Sequence, residues 1–184
     1  MRRNFGPKPM LYPMPVFIIG TYNGDGTPNV MNAAWGGMAD TELISICLAD
    51  HRTTQNIFDR KAFTVSMADV ANVVSADYVG IVSGNKVPDK VAKAGWHTIK
   101  SEFVDAPLID ELPMALECEF VSYDDNSGLL IGRVINVCAE ERILTGDTID
   151  LAKFHPITYD PSGHGYYALG EKVGQAFSDG KRLK

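Results

Sequence analysis

The sequence predicts a mostly β protein with two or three inserted helices, arranged as an antiparallel barrel. Short apolar or alternating runs recur along the chain, and turn-forming Gly, Pro, Asn and Asp residues separate them. Predicted strands follow one another more often than they alternate with helices, which disfavours regular βαβ units. The 184 residues contain no repeat and no linker, so we expect one domain over residues 1–184, with residues 1–12 as an extended N-terminal arm.

The first half of the chain begins with a predicted hairpin over residues 16–31. Its turn is Asn23–Gly26, because Asn, Asp and Gly tolerate the positive φ angles that tight hairpins require. Pro28 cannot donate a hydrogen bond to a neighbouring strand, so it favours an edge position. The other elements predicted here are a strand over residues 43–48, a helix with Thr53 as its N-cap, a strand over residues 63–67, a helix over residues 70–82 capped by Asp69, and a helical turn over residues 89–94.

The second half contains the clearest hairpin, formed by residues 116–123 and 129–137 with residues 124–128 as its loop. Apolar residues alternate with glutamates in the first strand, which is typical of a half-buried strand. If positions 124 and 128 pair, Cys118 faces Val134 and Cys138 faces Met114. The two thiols are then out of register, and no disulfide is expected. A short helix over residues 150–154 and extended segments over residues 156–159 and 166–169 complete the predicted elements.

Composition excludes several classes of partner. The net charge is −6 and the sequence pI is near 5.1, whereas proteins that bind nucleic acid or anionic membranes are usually basic. No run of about 20 apolar residues and no signal-peptide pattern is found. The three cysteines form no C-x-x-C motif. We therefore expect a reduced, cytoplasmic protein that binds neither nucleic acid nor a membrane.

Familiar catalytic motifs are missing from the sequence. It has no G-x-G-x-x-G after the first strand, no P-loop, no H-E-x-x-H and no G-x-S-x-G. The four histidines lack metal-ligand spacing, and no Ser-His-Asp or Cys-His arrangement stands out. We predict no catalytic side chain and no metal ligand, so any chemistry belongs to a bound cofactor.

Two segments on either side of a buried strand predict a pocket for a flat ligand that carries a phosphate. In the first, Asn32–Trp35, small residues let the backbone approach a ring; the alternative is a tightly packed strand with Trp35 in the core. In the second, Arg52 and Thr53 suit a phosphate, unless they are only a surface charge and a helix cap. Ser83–Lys86 and Lys90 offer a further anion contact, or form an ordinary polar loop.

The order of these motifs resembles the flavin reductase-like family of FMN-binding split barrels, which includes flavoredoxin. The resemblance extends over about residues 10–180. One departure concerns Ala33, Ala34 and Gly36–Gly37, where many members carry Ser or Thr; backbone contacts to the ring are therefore favoured over side-chain contacts. The matching segments are Pro13–Val16, the Asn23–Gly26 turn, Asn29–Trp35, Thr53–Ile57 as the T-x-x-N-I helix start, Phe63–Met67, Ser83–Gly84 with Asp89–Lys90, and Leu169–Gly174.

The resemblance implies a split β-barrel that forms a homodimer and binds one FMN per chain, with FAD less favoured. The ring would contact Asn32, Ala33, Ala34 and Trp35. The phosphate would contact Arg52, Thr53 and Thr54, with Ser83 and Lys90 nearby, although Lys86 competes with Lys90 as the cation.

The function implied is that of a flavin reductase or flavoredoxin-type oxidoreductase, whose electron donor is NAD(P)H or a reduced redox protein. Three alternatives stay open. They are an electron carrier or flavin store without enzymatic activity, a non-catalytic interaction domain on a degenerate barrel, and an enzyme related to pyridoxamine-phosphate oxidase. The T-x-x-N-I order and the Gly170–Gly174 ending favour the flavin reductase branch.

Overall fold

Residues 1–183, which the computed structural model describes, form fourteen β-strands and four α-helices. Three short 3-10 helices cover Val70–Asn72, Glu141–Ile143 and Asp179–Leu183. The α-helices are α1 (Arg52–Arg60), α2 (Val73–Ile81), α3 (Lys90–Lys93) and α4 (Leu151–Phe154). The strands are β1 (Met14–Pro15), β2 (Phe17–Tyr22), β3 (Pro28–Ala33), β4 (Gly36–Asp40), β5 (Leu43–Cys47), β6 (Ala62–Met67), β7 (Thr98–Lys100), β8 (Pro107–Ile109), β9 (Met114–Asp124), β10 (Leu129–Ala139), β11 (Leu144–Thr145), β12 (Thr148–Ile149), β13 (Ile157–Asp160) and β14 (Gly165–Ala168).

Seven strands form one antiparallel sheet in the order β3-β2-β6-β9-β10-β5-β4. Its two edge strands, β3 and β4, are consecutive in the chain and only Ala34 and Trp35 join them. Three extended residues span at most about 11 Å, so the two edges must lie close together. The sheet is therefore curled into a half-barrel, which confirms the predicted split-barrel class.

Smaller sheets flank the half-barrel. Strands β13 and β14 form a hairpin that β1 joins, and β7 pairs with β8. The two-residue strands β11 and β12 also pair. None of the helices within residues 1–183 has the length and apolar character needed to cross a membrane.

The strands bury apolar side chains on both faces of the sheet, because β2 lies between two core clusters. Phe17 and Ile19 point into one cluster, whereas Ile18 points into the other. Burial on both faces follows from the continuous apolar run of β2, in contrast to the alternating pattern of β9. Ile57 docks α1 on the first cluster, and Val79 docks α2 on the second. Both helices are thereby held against the sheet near β3.

Most of the predicted elements are confirmed. The first hairpin pairs β2 with β3, and Pro28 lies on the edge strand. The Asp69 carboxylate accepts a hydrogen bond from Asn72 N at 2.9 Å, although the helix it caps begins as a 3-10 turn before α2. The arm, residues 1–12, contains no helix or strand.

Two predictions about local geometry are wrong. The N-cap of α1 is His51, two residues before Thr53, because the helix begins at Arg52. The hydroxyls of Thr53 and Thr54 form hydrogen bonds with other groups. Cys118 pairs with Val134 as predicted, but Cys138 pairs with Ala115 rather than Met114. The pairing of β9 and β10 has register shifts at Ile131/Gly132 and Val134/Asn136, and the second shift displaces Cys138 by one residue from its predicted partner. All three cysteines are free, as expected.

Candidate functional site

A cavity of about 270 Å³ lies where β3, the start of α1 and the loop after α2 meet. We call it the Lys90 cavity. Val30 of β3 and Ile57 of α1 belong to the core clusters, so these two sides of the lining are rigid. Its lining residues are Asn29, Met31, Asn32, Asp50–Thr53, Val79–Asn85 and Lys90.

The first turn of α1 presents hydrogen-bond donors to this cavity. Gln55 N donates to His51 O and is the first intrahelical donor, so the N–H groups of Arg52 and Thr53, which come before it, have no partner within the helix. Arg52 and Thr53 both line the cavity. Thr53 is therefore an element of the site through its position in the first turn, even though it is not the N-cap. The positive end of the helix dipole adds to the attraction for an anion.

Lys90 brings a buried ammonium group to the same cavity. Only 3% of the residue is exposed, and Nζ donates to Val79 O at 3.4 Å and Val82 O at 3.2 Å. Within the described residues, no carboxylate lies within 4 Å of this ammonium. Burial without a counter-ion lowers the pKa of Lys90 to about 8. A buried cation held only by carbonyl groups is stabilised by an anion.

Gly84 brings the loop after α2 against β3. A Cβ atom at Gly84 would lie 2.3 Å from Asn29 Oδ1, so the Asn29 side chain would have to move. The same amide donates from Nδ2 to Thr53 Oγ1 at 2.8 Å. Asn29 therefore joins the loop to α1 and closes one end of the cavity.

A buried polar network fixes Arg52 to the first hairpin. Arg52 Nε donates to Asn23 Oδ1 at 3.0 Å, and Asn56 Nδ2 donates to the same oxygen at 3.0 Å. Asn56 also donates to Thr21 Oγ1 at 3.0 Å. One guanidinium N–H is thus used for positioning, and the others stay available to a ligand.

The structure brings together five of the nine predicted site residues. Thr54 does not line the Lys90 cavity, because its hydroxyl donates to Ala49 O at 2.7 Å. Ala33 packs against the core. Lys86 is exposed and outside the cavity lining, so of the two lysines only Lys90 belongs to this cavity. The residues that share the cavity are Asn32, Arg52, Thr53, Ser83 and Lys90.

Ala34 and Trp35 line a second cavity, of about 480 Å³, which the N-terminal segment covers. We call it the arm cavity. Trp35 is 53% exposed, so the alternative in which it packs in the core is wrong. The amide of Asn32 is bound within the protein, since Nδ2 donates to Ala76 O at 2.9 Å.

Sequence reasoning missed Asn29 and Gly84 as site residues. Asn29 lay inside the segment predicted to form the pocket, but no pattern distinguished it from its neighbours. The S-G pair at Ser83–Gly84 was the available signal, and only the fold shows that Gly84 approaches Asn29.

The donor set defines the ligand chemistry of the Lys90 cavity. It combines helix N–H groups, a buried ammonium and a positioned guanidinium, which are groups suited to an oxyanion such as a phosphate.

Comparisons with known proteins identify the family. Residues 10–173 match the family described as flavin reductase like domain. Flavoredoxin of Desulfovibrio vulgaris (Miyazaki F) is 37% identical, with a TM-score of 0.94 over 98% of this chain and 100% of that one. Flavoredoxin from Methanosarcina acetivorans is 25% identical, with a TM-score of 0.90 over the full length of both chains.

A curated relative is similar over part of its length. An uncharacterized protein of Aeropyrum pernix is 30% identical over 115 residues, which are 61% of this chain and 43% of that protein. This chain therefore matches less than half of the Aeropyrum pernix protein. The family match, by contrast, covers most of the chain and includes every residue of the Lys90 cavity. The chain belongs to the flavin reductase-like domain family, and this membership supports a flavin-binding redox function.

Proposed function

We propose that the protein binds FMN and passes electrons through it as a flavin reductase or flavoredoxin-type oxidoreductase. The observation that carries this proposal is the buried Lys90 ammonium, which has no carboxylate partner within the described residues. Lys90 lines the same cavity as the N-terminus of α1. Family membership indicates that the ligand is a flavin, and the flavin FMN carries a phosphate. The similarity to flavoredoxin, at 37% identity, supports an electron-transfer role.

The residues of the two cavities fit the two ends of FMN. Its phosphate would be held by the first-turn N–H groups of α1 with Arg52, Ser83 and Lys90. Its ring would lie along Asn32–Trp35, where Ala33 and Ala34 have no polar side-chain atoms and leave recognition to the backbone. One cluster of anion donors suits the single phosphate of FMN better than the diphosphate of FAD.

The bound flavin would supply hydride or electron transfer, and the chain would supply binding, orientation and exclusion of water. No protein nucleophile is needed for this chemistry. The proposal therefore includes no catalytic side chain.

The identity of the electron donor distinguishes a reductase from an electron carrier. We favour the oxidoreductase, and the similarity to flavoredoxin makes a reduced redox protein a candidate donor beside NADH and NADPH. Anaerobic stopped-flow mixing of the loaded protein with NADH and with NADPH separates these functions. Rapid bleaching of the flavin by either nucleotide supports a reductase, whereas no bleaching supports a carrier with a protein donor.

We also propose a homodimer, located in the cytoplasm. Exposed apolar side chains on three strands of the half-barrel, Met38, Val121, Ile135 and Val137, support the dimer, because such surfaces are typical of interfaces. Three free cysteines agree with a reducing compartment.

The decisive experiment is a titration of FMN into the purified flavin-free protein, with an absorbance spectrum of the protein as isolated. We expect flavin absorption bands and a change in FMN fluorescence that saturates at one FMN per chain. A colourless protein that leaves FMN fluorescence unchanged would rule out the proposal.

A further inference from the structure

The chain continues beyond its last hydrogen bond with the folded body. Leu169 N donates to Pro156 O at 3.3 Å, and within residues 1–183 every later hydrogen bond or ion pair joins two residues of the C-terminal segment. We call residues 170–183 the C-terminal tail. An open cavity of about 850 Å³ lies between the start of the tail and α4. The tail therefore does not pack on the part of the protein from which it emerges.

Large apolar side chains of the tail are uncovered. Every residue from 170 to 183 is exposed. Val173 is fully exposed, Phe177 is 99% exposed and Leu183 is 94% exposed. Single apolar residues are common on protein surfaces. Three large ones without any cover in one short segment are instead typical of a segment that binds another surface.

The tail nevertheless has a defined local structure. Gln175 N donates to Asp179 Oδ2 at 2.8 Å, and Asp179 N donates to Gln175 O at 3.0 Å. Phe177 lies between these residues with a φ angle of 60°, which is uncommon for a bulky side chain and persists only where other contacts fix the backbone. Holding a chain end in one conformation also costs conformational entropy. Contacts from outside the tail are therefore needed to stabilise this turn.

Related solved structures contain the same segment. The superposition on flavoredoxin of Desulfovibrio vulgaris (Miyazaki F) covers 98% of this chain, so most of the tail has a counterpart there. The superposition on flavoredoxin from Methanosarcina acetivorans covers 100% of this chain. Chain ends are usually poorly ordered unless something holds them in place. Because the body of the same protomer forms no hydrogen bond with the tail, we look for a second molecule that covers it.

The charge of the tail favours a second copy of this chain as that molecule. Residues 170–184 contain four Lys or Arg and two Asp or Glu, which gives a net charge of +2. The whole chain carries −6, so residues 1–169 carry −8. A basic segment and an acidic body attract each other. Two identical chains related by a two-fold axis can therefore exchange their tails, so that each tail covers the body of the other chain.

We propose that the C-terminal tails are exchanged between the two protomers of the homodimer, and that Phe177 of each tail is buried against the body of the partner. This inference rests on the proposed homodimer and is independent of flavin binding. The exposed apolar surface of the half-barrel then provides only part of the interface. Because the tail forms no hydrogen bond with its own body, substitutions in it act on assembly and leave the folded body intact.

Trypsin cleavage after Lys172 tests the exchange, because this lysine lies in the tail and is exposed in a single chain. A free peptide of residues 170–184 gives the cleavage rate of an uncovered tail. At micromolar concentration we expect the wild-type protein to be cut after Lys172 about tenfold more slowly than the peptide, since cleavage follows the fraction of uncovered tails. On dilution, the rate should rise to that of the peptide at the concentration where the mass falls to one chain.

Phe177→Ser should remove the main anchor of the tail, because buried aromatic side chains contribute strongly to interfaces. We expect this variant to be cut after Lys172 at close to the peptide rate at concentrations that protect the wild type. Its dimer dissociation constant should rise by about tenfold. Ala176→Ser is the matched control, since it changes the adjacent exposed residue without removing a large apolar side chain. It should match wild type in both measurements.

The outcomes separate the exchange of tails from the homodimer itself. A wild-type dimer that is cut after Lys172 at the peptide rate at every concentration would show that the partner does not cover the tail. Slow cleavage that persists after the mass has fallen to one chain would also overturn the inference, since the tail would then fold onto its own body. A wild-type mass of one chain at every concentration would contradict both the homodimer and the exchange.

Discussion

At the scale of single residues, Lys90 is a buried cation that an anionic ligand would stabilise. The ammonium is buried against two carbonyl groups, and burial costs the protein free energy as long as no anion is present. Lys86, only four residues away, is exposed and has no such constraint. The sequence could not distinguish the two lysines, because the difference arises from the fold of α3 against the loop after α2.

Replacement of this ammonium should separate ligand binding from stability. We expect Lys90→Met to weaken FMN binding by about tenfold or more, as the loss of a charge-assisted hydrogen bond predicts. Riboflavin binding should change little, and the melting temperature of the flavin-free variant should not fall, because an apolar side chain replaces an uncompensated buried charge. Fluorescence titration and thermal unfolding measure the two effects.

Lys86→Met is the matched control, since it removes one positive charge from the surface near the same loop. It should bind FMN as wild type does. Equal losses of affinity in both lysine variants would show that the overall charge matters and the position of Lys90 does not.

The pKa of Lys90 predicts how binding depends on pH. Burial lowers this pKa to about 8 in the flavin-free protein, whereas a bound phosphate favours the charged form and raises it. Lys90 is charged below pH 8 and must take up a proton to bind the phosphate above that value. The FMN dissociation constant should therefore be flat near pH 7 and rise by up to about tenfold per pH unit above pH 8.

Titrations between pH 6.5 and 9.5 test this dependence, and riboflavin serves as the comparison ligand because it lacks the phosphate. In Lys90→Met the steep region should disappear. A wild-type profile that stays flat throughout would contradict the assignment of Lys90 to the phosphate.

At the scale of secondary structure elements, helix caps position the site. Asp69 accepts hydrogen bonds from the backbone and side chain of Asn72, and Asn72 Oδ1 in turn accepts one from Trp96 Nε1 at 3.1 Å. These bonds fix the start of α2. The far end of α2 provides Gly80 and Ile81 to the Lys90 cavity, so the cap acts on the site through the helix.

Loss of this cap should lower stability. Asp69→Ala should decrease the free energy of unfolding by about 1 kcal/mol, because it removes the carboxylate that accepts from the backbone and side chain of Asn72. That change corresponds to a decrease of about 2–4 °C in melting temperature for a chain of this size. Asp69→Asn keeps an acceptor oxygen and should lose less. Calorimetry distinguishes the two variants, and equal losses would show that the charge contributes rather than the cap.

Secondary structure elements were predicted correctly where turn-forming residues or a helix-capping residue marked their ends. The turn residues Asn23–Gly26 and 124–128 gave both long hairpins, and Asp69 gave its helix start. Strand β4 was missed because Gly36 and Gly37 have low strand propensity, and it forms by pairing with β5. The short pairs β7–β8 and β11–β12 were also missed, since strands of two or three residues are too short to show an alternating pattern of apolar and polar residues.

The sequence indicated several residues of the candidate site, but it did not indicate how the fold places them relative to one another. Residue types and family motifs indicated Arg52, Thr53, Ser83 and Lys90, and the fold brings them to one cavity. The role of Asn29 depends on a contact with Gly84, 55 positions away by their numbers in the sequence. The separation of Ala34 and Trp35 into a second cavity follows from the path of the N-terminal arm, which has no periodic pattern.

At the scale of the whole molecule, the exposed apolar side chains of the half-barrel favour assembly. We expect light scattering to give twice the chain mass of 20.1 kDa at micromolar concentration. Val121→Lys/Val137→Lys should shift the mass toward one chain, because charges on this surface oppose burial. Leu151→Lys, at an exposed apolar position on α4, is the control and should stay dimeric. A wild-type mass of one chain would contradict the homodimer.

The two-residue link between β3 and β4 also has a consequence for solubility. An open sheet ends in strands whose unpaired N–H and C=O groups can template pairing with another molecule, and long flat edges of this kind promote fibre growth. Here the link forces both ends of a seven-stranded sheet to the same place, where α2 lies against β3 and the Asn32 amide donates to the Ala76 carbonyl of that helix. The helix thereby covers the edge at β3, and the short link places the edge at β4 beside it.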